Sequence, residues 1–266
     1  MKIHKRLLRW LLGGLLLTLV LASGAFVVWG STPLGPTDAA LAALTSEGPV
    51  TVVQDRWLAF QPAGQDPTTG LVFYPGGRVD PRSYAPLAWE IAARGHLVVI
   101  VPMPLNLAVL APDRADSVIA AYPSVGLWAL GGHSLGGAMA ARYVYQNEQA
   151  VDGLVLWAAY PASTDDLSER RDLAVLSVTA TRDGLMTDEE LSNSRELLPE
   201  STCWVTIEGG NHAQFGSYGP QRGDNPATIP QAAQHAAVVD ATASFLASLA
   251  TSGDEATDCA GIGGAE

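Results

Sequence analysis

Trp128-Ala-Leu-Gly-Gly-His-Ser134-Leu-Gly-Gly137 is an apolar run that turns into a small-residue helix, with one serine at the corner. Its centre, Gly132-His133-Ser134-Leu135-Gly136, fits the pattern G-x-S-x-G. The pattern has a mechanical cause. A serine on a sharp strand-to-helix turn sits in strained backbone, and side chains two residues before or after it would strike the neighbouring turn. The turn lifts the hydroxyl off the sheet edge and brings the first N–H groups of the helix beside it. The competing reading is a glycine-rich βα turn of a nucleotide-binding fold. The rest of the chain decides between the two.

On either side of this corner, short apolar runs alternate with helical patterns. Val50-Thr-Val-Val53 and Trp57-Leu-Ala-Phe60 read as short strands, and Gly70-Leu-Val-Phe-Tyr74 as a buried one. Ser83–Arg94 has apolar residues at helical spacing, with Gly95 as its C-cap. His96–Val101, Leu127–Gly131, Val151–Tyr160, Ala174–Ala180 and Cys203–Ile207 are further strands. Leu107–Ala121, Gly136–Asn147, Asp188–Leu198 and Gln231–Leu249 are helices, with Pro112 near a start or kink and Thr187 as an N-cap. Continuous apolar strands alternating with helices mean an α/β fold, with a mostly parallel sheet covered by helices on both faces. Ligands of such sheets sit beyond the carboxyl ends of the strands. Pro75-Gly76-Gly77, Pro102–Asn106, Ser134, Asp183 and His212 all follow strand ends.

A serine attacks carbonyls only when a base takes its proton and a third group fixes the base. Five histidines are present. His4 is in the leader, His96 opens a strand, His133 faces away from its neighbour Ser134, and His235 is expected on the surface of the last helix. His212, in the glycine-flanked loop Glu208-Gly-Gly-Asn-His-Ala-Gln-Phe-Gly216, is the candidate base. Asp183, in Thr181-Arg-Asp-Gly184, is the candidate acid; Asp165, Asp166 and Asp188 are its rivals.

The chain order Ser134, Asp183, His212 is that of the α/β-hydrolase triad. Phe73-Tyr-Pro-Gly-Gly-Arg-Val-Asp80, Pro104-Leu-Asn-Leu107, Gly131–Gly137, Thr181–Gly184 and Gly209–Gly216 carry the likeness. Over 50–249 the chain resembles the α/β-hydrolases, and within them the family 5 branch related to dienelactone hydrolases and chlorophyllase-like enzymes. The resemblance implies an eight-stranded sheet bearing this triad. Dienelactone hydrolases use a cysteine nucleophile; Ser134 departs from them. An oxyanion hole needs two N–H donors. Leu135 supplies one, and Gly76, Gly77 or Arg78 the other, since Pro75 has no N–H; register favours Gly77. Only about a dozen residues separate Tyr160 from Ala174, where many relatives insert a lid, so no cap domain is expected. Tyr74, Tyr160, Phe215 and Tyr218 are candidate linings for a small or medium acyl substrate, each equally readable as core. Arg78 or Arg82 is placed to meet a carboxylate, a solvated arginine being the blander reading. No zinc-like cluster, phosphate loop or dinucleotide fingerprint occurs, so no cofactor or metal is expected.

Composition bounds the partners. The net charge is −12, yet Lys2, Lys5, Arg6 and Arg9 all precede the first acid, Asp38. The remainder is therefore more acidic still, which excludes a basic nucleic-acid footprint. Trp10–Gly30 carries no charge and is long enough to span a bilayer, with Trp10 and Trp29 as interfacial brackets. The basic residues before it put the N-terminus in the cytoplasm and the body outside. The alternative is a signal peptide cut near Ala22–Ala25 or after Gly30, leaving a secreted protein. Cys203 and Cys259 are either a disulfide or two free thiols.

The expected organisation is a membrane segment (1–30), a linker with one short helix (31–49), an α/β-hydrolase domain (50–250) and a flexible tail (251–266). Three functions compete: an extracytoplasmic serine esterase or thioesterase, an acyltransferase using the same residues, and a catalytically silent binding scaffold.

Overall fold

The computed structural model describes residues 2–251 together with Cys259 and Ile262. The chain runs α1 (Lys2–Gly30), α2 (Asp38–Ala42), β1 (Val50–Gln54), β2 (Leu58–Pro62), β3 (Thr69–Tyr74), α3 (Ala85–Ala93), β4 (Leu97–Ile100) and α4 (Arg114–Ile119). It continues β5 (Leu127–His133), α5 (Leu135–Gln146), β6 (Gly153–Trp157), β7 (Ala174–Ala180), α6 (Asp188–Glu196), β8 (Cys203–Ile207) and α7 (Gln231–Leu249). One eight-stranded sheet results, in the order β1-β2-β4-β3-β5-β6-β7-β8. β2 alone runs against the others.

The order has a consequence for the site. From β3 the chain steps outward to β4, then returns to place β5 on the other flank of β3. Loops leaving β3 and β5 therefore part in opposite directions, and the crevice between them opens at the carboxyl edge. Alternation along β3 supplies both cores. Leu71 and Phe73 face α3 and α7, packing with Leu87, Ile91, Val238 and Phe245. Val72 and Tyr74 face α4 and α5, packing with Val118, Met139 and Val144. Each such buried side chain contributes about 1.5–3 kcal/mol over its exposed state, which locks the strand register beneath the site.

Three features refine the sequence reading. The helix expected over Leu107–Ala121 is instead a 3₁₀ turn, Ala108–Leu110, followed by α4. Pro112 removes a donor and disfavours helical backbone at Ala111, which is extended at φ −160°. Residues 31–49 hold α2, capped by the Thr37 hydroxyl accepting from the Ala40 N–H. Ala40 and Leu44 from this segment are buried, and Leu34 bridges to Val79. Cys203 and Cys259 form a disulfide, with Cα atoms 5.4 Å apart, tying Cys259 to the start of β8. The tail expected over 251–266 lies outside the described residues apart from Thr251, Cys259 and Ile262. The connection 161–173 holds neither helix nor strand, so no cap covers the site there.

Candidate active site

Ser134 stands between β5 and α5 at φ 51°, ψ −124°, a left-handed conformation costly for a residue with a Cβ. Its N–H donates to the Trp157 carbonyl at 3.0 Å, which pins the turn to β6. The glycines around it have no room for side chains. A Cβ on Gly132 would lie 2.5 Å from the Gly136 carbonyl carbon, and one on Gly136 only 2.1 Å from the Tyr74 carbonyl oxygen. The spacing read from the sequence is thus a packing requirement between two loops.

His212 and Asp183 come together from the loops after β8 and β7. His212 Nδ1 donates to Asp183 Oδ2 at 2.8 Å, and both side chains are almost fully buried. The other carboxylate oxygen of Asp183 accepts from the N–H groups of Leu185 (2.7 Å) and Met186 (2.9 Å). With both oxygens engaged, the carboxylate cannot rotate away from the imidazole. His212 Nε2 is buried and has no partner among the described residues. The rival Asp165 is also buried, and its Oδ1 accepts from the Thr164 hydroxyl at 3.2 Å.

Two residues not singled out by the sequence reading hold the His212 loop. Gln234 of α7 accepts from the Asn211 N–H and donates to the Asn211 carbonyl, at 2.9 and 2.8 Å. Asp224 accepts from the N–H groups of His212 (3.3 Å), Ala213 (2.8 Å) and Gly184 (3.0 Å). One carboxylate therefore couples the loop of His212 to the loop of Asp183. In sequence, Asp224 precedes Asn225-Pro226 and reads as an ordinary turn residue; only the fold brings the two loops to it.

The loop after β3 settles which N–H groups are engaged. Gly76 donates to Tyr84 Oη at 2.9 Å and Arg78 donates to the Asn106 carbonyl at 2.7 Å. The Gly77 and Leu135 N–H groups have no partner among the described residues. Gly77 lies against Leu135, where a Cβ would come within 3.1 Å of Leu135 Cδ2.

Ser134, Leu135 and His212 share one cavity of about 310 Å3 with Ala138, Ala158, Ala159, Tyr160, Ala162, Leu185 and Met186. Tyr160 lines it, its hydroxyl donating to Glu190 Oε1 at 2.6 Å. Tyr74 and Phe215 do not. Tyr74 is fully buried on the α4 side, its hydroxyl donating to the Pro112 carbonyl and accepting from the Ala115 N–H. Phe215 is fully buried, against the ring of His133. Both side chains satisfied the core instead, and Tyr218 is buried likewise. Arg82 pairs with Asp80, and Arg78 is turned to the end of α1. Among the described residues no cluster of three or more His, Cys, Asp or Glu is placed to hold a metal.

A family model described as the alpha/beta hydrolase family matches residues 70–236. The chain belongs to the alpha/beta hydrolase family. A predicted CIB-like hydrolase from Thermoplasma acidophilum, known from its crystal structure, is similar in fold. It shares 13% identity at a TM-score of 0.51, over 61% of this chain and 89% of that one. No curated protein matches significantly.

This alpha/beta hydrolase carries a second histidine beside the first. His133 is fully buried, 4.5 Å from the His212 ring centre to centre, with Nδ1 hydrogen-bonded to Tyr84 Oη at 2.9 Å. Burial, and then the neighbouring His212, hold its pKa far below the ordinary histidine value. Burial also lowers His96, and it takes His235 down to about 4. His235 is half-buried rather than on the surface, and its Nε2 has no partner among the described residues.

These shifts predict acid lability. Each group is neutral when folded and takes up a proton on unfolding near pH 6.5, so the stability is present above that pH. It is lost as pH falls from about 6.5 toward the folded values. His235 alone accounts for on the order of 3 kcal/mol between pH 7 and pH 4. The melting temperature should drop across that range, and His235→Gln should flatten the drop. A melting temperature constant from pH 7 to pH 4 would count against burial of these rings.

Removing the Asp224 carboxylate tests the coupling of the two loops. Asp224→Ala should lower kcat about tenfold to a hundredfold, the scale of a misplaced catalytic group, with KM nearly unchanged. Asp224→Glu should recover less than half of the loss, because its longer arm cannot hold both loops in register. An unaltered kcat in a folded Asp224→Ala protein would mean that the loops hold themselves.

Proposed function

We propose that the protein is a serine hydrolase of carboxylic esters or thioesters, anchored by α1 with its catalytic domain on the extracytoplasmic side of the membrane. One observation carries the chemistry: His212, paired with buried Asp183 at 2.8 Å, shares a cavity with a serine held at positive φ. In this reading Ser134 Oγ attacks the acyl carbonyl while His212 Nε2 takes the hydroxyl proton. Asp183 fixes the tautomer that leaves Nε2 free to accept it. The carbonyl oxygen, now negative, is bound by the N–H groups of Leu135 and Gly77. Collapse expels the alcohol or thiol, which takes the proton from His212. Water, deprotonated by the same nitrogen, then releases the acid and restores Ser134.

The apolar lining of alanines, Leu185 and Met186 suits the acyl chain, and a cavity of about 310 Å3 suits a small or medium one. The basic residues before Trp10 support a cytoplasmic N-terminus. A fluorophosphonate probe tests the reading: Ser134 should be modified in the wild-type chain, and labelling should fall sharply in His212→Ala. A folded wild-type protein that takes up no label refutes it. Protease added to intact cells should digest the body and spare the first nine residues.

A further inference from the structure

The carboxyl edge of the sheet is fastened directly to the end of α1. Arg78, the residue after Gly77, donates from Nε to the Trp29 carbonyl at 2.9 Å and from Nη2 to the Thr32 carbonyl at 2.6 Å. Its guanidinium lies over the Trp29 ring, 4.4 Å from the centroid. Asn106, in the loop after β4, donates from Nδ2 to the Gly30 carbonyl at 2.9 Å. The last carbonyls of a helix have no partner within it, and a cation there complements the helix dipole. Arg78 and Asn106 meet both needs. Leu105 closes on Gly30 so tightly that a Cβ there would fall 2.8 Å from Leu105 Cβ. Arg78, Leu105 and Asn106 all hold positive φ (58°, 51° and 54°), strain that persists only where surrounding contacts impose it.

Within Trp10–Gly30 only the last turn is docked. Trp10 to Trp29 are exposed, whereas Gly30 is buried. The apolar span, Trp10–Gly30, has 21 residues, or about 31 Å of helix against a hydrocarbon core of about 30 Å. If α1 crosses the membrane, Gly30 stands at its outer surface. The loop carrying Gly77 then stands there too, because no slack chain intervenes. The neighbouring surface suits such a position. Val109 and Leu110, in the 3₁₀ turn that follows Asn106 and packs on α5, are 53% and 48% exposed. Leu185, in the lining of the Ser134 cavity, is 38% exposed.

Resting on the anchored serine-hydrolase reading, we infer that the site opens onto the membrane that holds it and takes as substrate an ester whose acyl chain is embedded in that bilayer. The end of α1 then stands beside the Gly77 loop through Arg78, and the anchor sets the substrate class as well as the location. An acidic body, repelled by anionic headgroups, makes its contact through the apolar patch.

The test uses the full chain reconstituted in phosphatidylcholine vesicles. A long-chain 4-methylumbelliferyl ester is placed either in the same vesicles as the enzyme or in separate ones mixed with them. Hydrolysis should be at least about tenfold faster in the shared bilayer, a difference of about 1.4 kcal/mol; equal rates overturn the inference. Both native cysteines are in the disulfide, so an introduced thiol is labelled alone. An environment-sensitive fluorophore on Leu110→Cys should lose about half its emission or more to lipid spin-labelled near the headgroup, the depth of an interfacial side chain. The same label on Gln65→Cys, before β3 at the opposite edge, should not be quenched. Equal quenching, or none at Leu110, also overturns the inference. Absence of fluorophosphonate label on Ser134 would instead refute the hydrolase reading, and the Leu110 measurement would still report where the loop lies.

Discussion

Ser134→Ala should lower ester hydrolysis by about 10⁴- to 10⁶-fold, the range found when a triad nucleophile is removed. The protein should remain folded. Alanine keeps the Cβ and therefore the same backbone strain at φ 51°, so the melting temperature should move little. His212→Ala should cost a comparable factor, because in the proposed reaction the two residues act on one proton. For the same reason the double variant should be no slower than either single one. Steady-state kinetics on a soluble ester, with a thermal melt of each variant, measures both points. Activity within tenfold of wild type in folded Ser134→Ala would remove Ser134 from the chemistry, and independent, multiplying losses would mean that Ser134 and His212 do not share a step.

Gly136→Ala should be the most damaging change to stability for its size. The added methyl would fall 2.1 Å from the Tyr74 carbonyl oxygen and 2.5 Å from that of Pro75. These are backbone atoms, so no rotamer change can relieve the overlap. Either the start of α5 or the end of β3 must move, and both are packed into the cores. The expected loss is at least about 3 kcal/mol, or about 6–12 °C in melting temperature for a domain of this size. Activity should fall with it, because Pro75 leads into Gly77. Gly126→Ala is the control: nothing lies within 4 Å of its Cβ position, so stability should change by no more than about 1 kcal/mol. A melting temperature unchanged in Gly136→Ala would mean that the two loops do not approach as closely as described.

The sequence was most legible where one local rule carried the meaning. G-x-S-x-G states a steric demand, and Gly132 and Gly136 meet it against particular atoms. Asp183 and His212 were readable from chain order and from their places after apolar strands. The pairing itself, at 2.8 Å, requires β7 and β8 to lie side by side. The lining was less legible. An aromatic near a strand end is either wall or core, and the choice depends on which face the register gives it. Tyr74 alternates onto the α4 side and satisfies its hydroxyl there, while Tyr160 follows β6 into the cavity. Asp224 carried no signal, because its partners are backbone N–H groups, which every residue has.

By itself the sequence determined the strand-and-helix alternation, the serine corner, the order of the three candidate catalytic residues and an apolar segment of membrane-spanning length. These are short-range properties: periodicity, side-chain volume and the backbone freedom of glycine act within a few residues. Only the tertiary structure decided which loop N–H stays unengaged, what holds the His212 loop, whether Cys203 meets Cys259, and how the end of α1 seats on Arg78 and Asn106. Those outcomes depend on groups separated along the chain, by 8 residues for Gly76 and Tyr84, 12 for His212 and Asp224, and as many as 76 for Asn106 and Gly30. Such contacts exist only after the sheet has closed and each backbone donor has found its acceptor.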